Sequence, residues 1–226
     1  MAAMVIVGAG HAAGQAAASL RQEGYEGEIV IIGDEPHIPY QRPPLSKAYL
    51  SGEVDLSRVY LRPAKFYEDK DVSLKLGVRA ERIDTAAKTV TTDQGETIAY
   101  DKLLITTGGR PRKLSITGSD LAGIHYLRTI ADVDGIRAEM AAGKKLVIVG
   151  GGYIGLEVAS VAVQSGLEVH VLEMESRILQ RVTTPEMSAY YHNLHESRGV
   201  HIHTSTAVTG FSGNGQVNAV LCGDQE

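Results

Sequence analysis

Two similar α/β domains in tandem are what this 226-residue sequence predicts, on three observations. Residues 5–10 read Val-Ile-Val-Gly-Ala-Gly and residues 147–152 read Val-Ile-Val-Gly-Gly-Gly, an internal near-repeat. Its copies lie too far apart for a stacked repeat array and suit one domain following another, at roughly 100–200 residues per domain. Each copy is an apolar run that ends in glycines, leads into a small-residue helical stretch and then into a second apolar run. That order of strand, glycine loop, helix and strand is the opening of a Rossmann-like dinucleotide-binding domain. Finally, 43% hydrophobic and 22% charged residues are ordinary globular usage, which excludes a disordered chain.

The elements follow in order. Met4–Val7 is a short apolar run and reads as a buried parallel strand. His11 to about Glu23 is Ala-rich and reads as a helix that Gly24 ends. Glu28–Ile32 is β-branched and forms the second strand. Pro36, Pro39, Pro43 and Pro44 then forbid regular helix or strand. Residues 72–107 alternate like strands, with a turn at Asp93-Gln94-Gly95, and Leu103–Thr106 is a further apolar strand. The basic stretch from Gly109 to Lys113 reads as a linker, placing a first domain over 1–112 and a second over 113–226. In the second, Ile130–Ala142 is a helix, Lys145–Val149 a strand, Gly152–Gln164 a helix and Glu168–Leu172 a strand. Pro185 sits at the first turn of a helix running to about Arg198. Val217–Cys222 is a strand and Gly223-Asp224 the turn of a hairpin whose return strand is missing, so the sequence is expected to stop inside a domain.

Composition narrows the function. A net charge of −5 and a pI near 5.9 argue against a nucleic-acid partner. The 25 glycines follow no collagen period, and with no Trp and two Phe the core is aliphatic. The single cysteine, Cys222, excludes an intramolecular disulfide, a CxxC pair and a Cys-rich zinc site; it reads as structural, and a reducing compartment is expected. Met1–Leu20 carries no charged residue, yet it lacks the basic start of a leader and is mostly Ala and Gly. It reads as strand plus helix, with no membrane association, and the expected location is the cytoplasm. His192 with His195, and His201 with His203, pair at helix and strand spacings, but no Cys or carboxylate joins them at a recognised metal-ligand spacing. Surface histidines are the expectation, and no metal.

The two glycine loops carry the chemistry. In Gly150-x-Gly152-x-x-Gly155 the first glycine permits a tight turn, the second lets the backbone approach a diphosphate, and the third lets helix pack on strand. The helix N-terminus offers N–H donors and partial positive charge. Glu173 ends the second strand at close to the expected ~20 residues and can accept hydrogen bonds from ribose hydroxyls. The first loop is Gly8-x-Gly10-x-x-Ala13, with Asp34 and Glu35 at its acidic position. Two dinucleotide sites in one chain point to hydride transfer between nicotinamide and flavin. NADH is favoured over NADPH, because Glu173 would repel a 2′-phosphate.

The stretches Val7-Gly-Ala-Gly-His-Ala12, Pro39-Tyr-Gln-Arg-Pro-Pro-Leu-Ser-Lys47, Thr107-Gly-Gly-Arg-Pro-Arg112, Tyr126-Leu-Arg-Thr129 and Gly150-Gly-Gly-Tyr-Ile-Gly-Leu-Glu157 run through the chain in one order. On them the sequence resembles the NADH-dependent ferredoxin and rubredoxin reductases of bacterial oxygenase systems, a branch of the pyridine-nucleotide flavoproteins with a glutathione-reductase-like FAD/NAD(P) fold. The resemblance implies FAD in the first domain and NAD in the second. It implies Gly8, Gly10, Ala12, Ala13, Thr107 and Gly108 around FAD, Asp34 and Glu35 at its ribose, and Ala80 at its adenine. It puts Arg42 and Lys47 toward the diphosphate and flavin, with Arg128 touching FAD. Gly150, Gly152, Tyr153, Ile154, Gly155 and Glu173 would hold NAD, Tyr153 near the nicotinamide. Lys47 and Glu157 would form an ion pair beside the flavin N5 and act as the catalytic pair.

No cysteine stands where disulfide reductases of this architecture carry theirs, so electrons are expected to leave the flavin directly for a [2Fe-2S] ferredoxin or a rubredoxin. That protein would in turn feed a P450 or a ring-hydroxylating oxygenase. The resemblance also covers apoptosis-inducing-factor-like and monodehydroascorbate-reductase-like enzymes, an alternative with a different acceptor. Family chains are longer, with a later Gly-Asp flavin segment and a C-terminal domain that are absent here. An inactive fragment unable to close its FAD site is the other alternative, and weak FAD retention with slow ferredoxin reduction is expected of these residues alone.

Overall fold

A computed structural model of the chain describes residues 3–223. They form two compact units, one of Met1–Arg42 with Asp55–Arg110, the other of Pro43–Val54 with Pro111–Glu226. A division at residue 112 would treat the chain as two consecutive segments; the structure instead groups Pro43–Val54 with the second unit. The reason is burial. Leu45, Ser46, Tyr49 and Leu50 are buried, and the Tyr49 hydroxyl donates to Asp134 at 2.8 Å within that unit.

The first unit is built on a parallel sheet. Strand β1 (Ala3–Val7) leads through helix α1 (His11–Gln22) to β2 (Glu28–Gly33), and β3 (Val72–Leu76) and β7 (Lys102–Ile105) complete the order β3-β2-β1-β7. The central strands are buried on both faces and read accordingly as unbroken apolar runs. Ile6, Ile29 and Ile31 pack under Ala13 and Ala17 of α1, while Val5, Val7, Val30 and Ile32 face Val78 and Val90. Val90 belongs to an antiparallel sheet of β4 (Ala80–Asp84), β5 (Thr89–Thr92) and β6 (Thr97–Ala99). The expected turn at 93–95 links β5 to β6, with Gly95 left-handed at φ +79°. A single-turn α2 (Ala48–Ser51), assigned to the second unit, and α3 (Ala64–Asp69) interrupt a stretch for which the sequence predicts nothing regular.

The second unit repeats the motif. Helix α4 (Ile130–Glu139) opens with a capping box in which the Thr129 hydroxyl accepts from the Asp132 N–H and the Asp132 carboxylate accepts from the Thr129 N–H. It ends short of the expected Ala142, because Met140 turns to extended backbone and Gly143, left-handed, turns the chain into β8. Strand β8 (Lys145–Val149), helix α5 (Tyr153–Gln164) and strand β9 (Glu168–Leu172) form the βαβ unit. Helix α6 (Pro185–Glu196), capped by Thr184, precedes β10 (Val200–His203), and the parallel order is β10-β9-β8. Ala159 and Ala162 of α5 pack on Val169, Val171 and Val200.

The C-terminal hairpin differs from expectation. Strands β11 (Val208–Asn214) and β12 (Gln216–Cys222) pair antiparallel around Gly215, φ +76°. The run Val217–Cys222 is therefore itself a return strand, because β11 supplies the partner for its backbone groups. The expected turn at Gly223-Asp224 extends outside the described residues. No helix among the described residues is long and apolar enough to cross a membrane.

Candidate dinucleotide-binding site

The two glycine loops have one geometry. Gly8 and Gly150 take φ +104° and +106°, a region L side chains rarely adopt. Their N–H groups donate to Ile32 and Leu172, the carbonyls at the end of each second strand, at 2.7 and 2.8 Å. A Cβ on Gly8 would run into the Thr106 backbone carbonyl. Gly10 and Gly152 are the N-caps of α1 and α5 with φ −88° and −83°, open to any residue. No atom lies within 4 Å of where their Cβ would stand. These glycines keep space clear above a helix N-terminus, and that space suits a diphosphate. The third positions do a different job. Ala13 is buried, and a Cβ on Gly155 would strike the Gly150 carbonyl.

In the first unit Gly8, Gly10, Ala12, Asp34, Glu35, Thr107 and Gly108 gather at the carboxyl ends of β1, β2 and β7. This is the end where open α/β sheets bind ligands. The two acids behave differently. Glu35 accepts from the Tyr40 hydroxyl at 2.5 Å and from Arg42 at 2.8 Å, and Arg42 also donates to the Tyr40 hydroxyl at 2.7 Å. Asp34 is exposed and forms no such bond among the described residues. Ala80 opens β4, half-buried opposite Thr92.

In the second unit Gly150, Gly152, Tyr153, Ile154, Gly155 and Glu173 come together. Tyr153 and Ile154 are about half exposed on the first turn of α5. Glu173 is fixed by backbone: Gly151 N–H donates to one carboxylate oxygen at 2.7 Å and Glu175 N–H to the other at 2.9 Å. A carboxylate accepts about four hydrogen bonds, so capacity remains for hydroxyls of a ligand. Gly151 had no assigned role in the sequence pattern. A Cβ there would meet Ile178 at 2.7 Å and press on Glu173, so the glycine is needed to let that acid reach the loop. Arg177 and Arg181 are engaged elsewhere. Arg177 donates to Thr183 and Gln180 carbonyls and to the Ser188 hydroxyl, and Arg181 pairs with Glu175 at 3.4 Å.

Lys47 and Glu157 meet within this same unit. Lys47 follows a 3₁₀ turn at Pro43–Ser46, and its Nζ lies 2.6 Å from Glu157 Oε2 on the second turn of α5. The buried Ser46 hydroxyl donates to the same oxygen at 2.5 Å. A cleft of about 490 Å³ opens beside the pair, lined also by Ser51, Ser160 and Gln164. Tyr49, two residues on, is pushed above its ordinary pKa by burial and by its bond to Asp134. Arg128 lies just before α4, half-buried, with its backbone N–H on Asp132 at 3.0 Å. The sequence pattern singled out Lys47 and Glu157 but not Ser46, whose only signal was its place in the Pro-Pro-Leu-Ser-Lys segment.

The histidines gather by strand register. His201 lies opposite His170 in the β9–β10 pairing, which stacks the two rings 4.8 Å apart. His170 Nδ1 lies 3.0 Å from His203 Nε2, and His170 Nε2 lies 2.9 Å from Glu168. His203 is held below its ordinary pKa of 6.5 by desolvation, then by the like charges of His170 and His201. No group of three or more His, Cys, Asp or Glu among the described residues is arranged to hold a metal ion. Cys222 is partly buried in β12.

The profile of the pyridine nucleotide-disulphide oxidoreductase family matches residues 2–226. A ferredoxin–NAD(P)(+) reductase of a Sphingomonas species is 43% identical over 224 residues, 99% of this chain and 54% of the relative. Putidaredoxin reductase CamA of Pseudomonas putida is 41% identical over 227 residues, 98% of this chain and 54% of the relative. The solved covalent complex of putidaredoxin reductase with putidaredoxin superposes with a TM-score of 0.94 at 40% identity, covering 100% of this chain and 55% of that one. The chain thus spans about half the length of the relatives it matches.

Proposed function

The chain belongs to the pyridine nucleotide-disulphide oxidoreductase family, and we propose that it is the dinucleotide-handling part of an NADH-dependent flavoprotein reductase whose electrons go to a [2Fe-2S] ferredoxin. The observation that carries this reading is the duplicated loop, with matching φ at Gly8 and Gly150 and clear space at Gly10 and Gly152. Two such cradles fit two dinucleotides, FAD at the first and NADH at the second. FAD, when bound, accepts a hydride from NADH and releases electrons one at a time.

The chain's own groups bind and orient. The first-turn N–H groups of α1 and α5 would hold the diphosphates. Asp34 and Glu173 would accept from ribose hydroxyls, and Tyr153 would cover the nicotinamide. Glu35 holds Arg42 by an ion pair at 2.8 Å, and Arg42 would face the FAD diphosphate. Lys47 would supply positive charge to the flavin, worth far more if bound FAD excludes water there than in bulk water. Glu157 keeps that ammonium in place. The Gln41–Ser46 stretch, where disulfide reductases of this architecture carry their cysteines, has none, so this reading places no thiol relay there. The ferredoxins that serve oxygenase systems are the acceptors this reading favours.

The test is anaerobic. Protein loaded with FAD is titrated with NADH while the flavin absorbance is followed, then mixed with a [2Fe-2S] ferredoxin or a rubredoxin and cytochrome c. Bleaching by NADH and ferredoxin-dependent cytochrome c reduction are expected. Bleaching with rubredoxin as the better acceptor would replace ferredoxin in the reading, and protein that takes up no FAD or does not bleach would overturn it.

A further inference from the structure

We infer that Ser46 is a positioning residue for the Lys47 ammonium, acting through Glu157; this rests on the flavin-reductase reading above. Two donors converge on one atom. The Ser46 hydroxyl lies 2.5 Å and Lys47 Nζ 2.6 Å from Glu157 Oε2. They arrive from adjacent residues of the chain, one from the end of the 3₁₀ turn and one from just beyond it.

The three members differ in freedom. The Lys47 side chain is 49% exposed and that of Glu157 31% exposed. Long, half-exposed side chains of this kind hold a fixed geometry poorly, because an exposed ion pair gains little against their lost rotamer freedom. Ser46 is the opposite case, 4% exposed and carried on a turn that Pro43 and Pro44 stiffen. A short side chain on a rigid, buried backbone has one place to put its hydroxyl. It selects the Glu157 rotamer that presents Oε2, and the ammonium follows the carboxylate. Lys47 has a second anchor, the Pro43 carbonyl at 3.2 Å on the same turn. With Ser46 in place the ammonium is held between the Pro43 carbonyl of the turn and a fixed Glu157 carboxylate on α5; without it Glu157 can swing into the adjoining cleft and Lys47 with it.

The role makes predictions that simple burial of a hydroxyl does not. In flavin-free protein, the acetylation rate of Lys47, read by peptide mass spectrometry under limiting reagent, should rise about tenfold or more in Ser46→Ala, the scale of one lost hydrogen bond to a charged group. Ser46→Cys, nearly isosteric with a weaker donor, should fall between. In a Glu157→Gln background, Ser46→Ala should add little further, because the path runs through the carboxylate. In flavin-loaded protein, the NADH bleaching rate should fall roughly tenfold in Ser46→Ala with unchanged NADH affinity, as expected where an interaction acts mainly in the transition state. Should Ser46→Ala fail to fold, the labelling and bleaching of Ser46→Cys decide the question. Unchanged Lys47 labelling, or equal effects with and without Glu157, would overturn the inference. Labelling that rises as expected in a protein NADH does not bleach would sustain the positioning role and overturn the flavin reading instead.

Discussion

Lys47 Nζ sits 2.6 Å from Glu157 Oε2, joining the segment after Pro43-Pro44 to the second turn of α5. Both side chains are substantially exposed, so the pair contributes little to stability, roughly 0–1 kcal/mol for a surface ion pair. Lys47→Ala is therefore expected to melt within a few degrees of wild type. If the ammonium serves the flavin, the same variant should slow stopped-flow bleaching by NADH at least about tenfold or weaken FAD retention. Unchanged rate and unchanged flavin content would remove Lys47 from the site.

Glu173 is expected to set nicotinamide specificity. Its carboxylate is pinned by Gly151 and Glu175 N–H groups, and both nearby arginines are occupied by Ser188, Glu175 and backbone carbonyls. A 2′-phosphate would meet a fixed negative charge at Glu173. The expected result is a higher kcat/KM for NADH than for NADPH, with Glu173→Ala narrowing the ratio at least about tenfold, the scale of a like-charge contact relieved in a partly buried site. Equal use of both by the wild type would refute the assignment.

The glycines of the second loop should separate binding from folding. Gly152 has an ordinary φ of −83° and open space where a Cβ would stand. Gly152→Ala is expected to fold within about 0.5 kcal/mol of wild type, as surface changes do, yet to weaken NADH binding. Gly155→Ala pushes a Cβ onto the Gly150 carbonyl and Ile148. It should cost about 1–3 kcal/mol in urea denaturation, the range for overpacking. Equal stabilities for the two variants would contradict the packing role of Gly155.

Acid should loosen the second unit before carboxylates titrate. His203 is depressed below 6.5 in the fold by desolvation and by His170 and His201. As pH falls through 6.5 the unfolded chain takes up the proton first, so stability present above 6.5 is lost as pH drops through the folded value. Glu168, held below 4.5 by its bond to His170 and then to Lys145, adds its own loss only at lower pH. Urea midpoints at pH 7.5 and 5.5 should differ less in His203→Gln than in wild type. An identical pH dependence in the two would show that His203 titrates as a free histidine.

Much of this protein was legible in the sequence because it depends on local period and spacing. The apolar run Val5–Val7, the glycines at 8 and 150 and the alanines of α1 name a strand, a turn of positive φ and a helix that must pack closely, and no distant residue is needed to read them. Glu173 was singled out by its distance to Gly155, and Asp34 by its place at the end of the second strand. Tertiary structure decided what spacing cannot encode. The resemblance implied Asp34 and Glu35 together at the ribose; folding ties Glu35 to Tyr40 and Arg42 and leaves Asp34 exposed. Sequence ran one domain through residue 112; burial of Leu45 and Tyr49 draws Pro43–Val54 into the other unit. His170 stood alone in the sequence until parallel register set it against His201 and His203. Ser46 had no role in the sequence reading; the fold brings its hydroxyl to Glu157. The contacts of Glu35, His170 and Ser46 are between polar groups, and hydrogen-bond geometry leaves no periodic trace in a sequence, whereas burial of apolar faces along one element does.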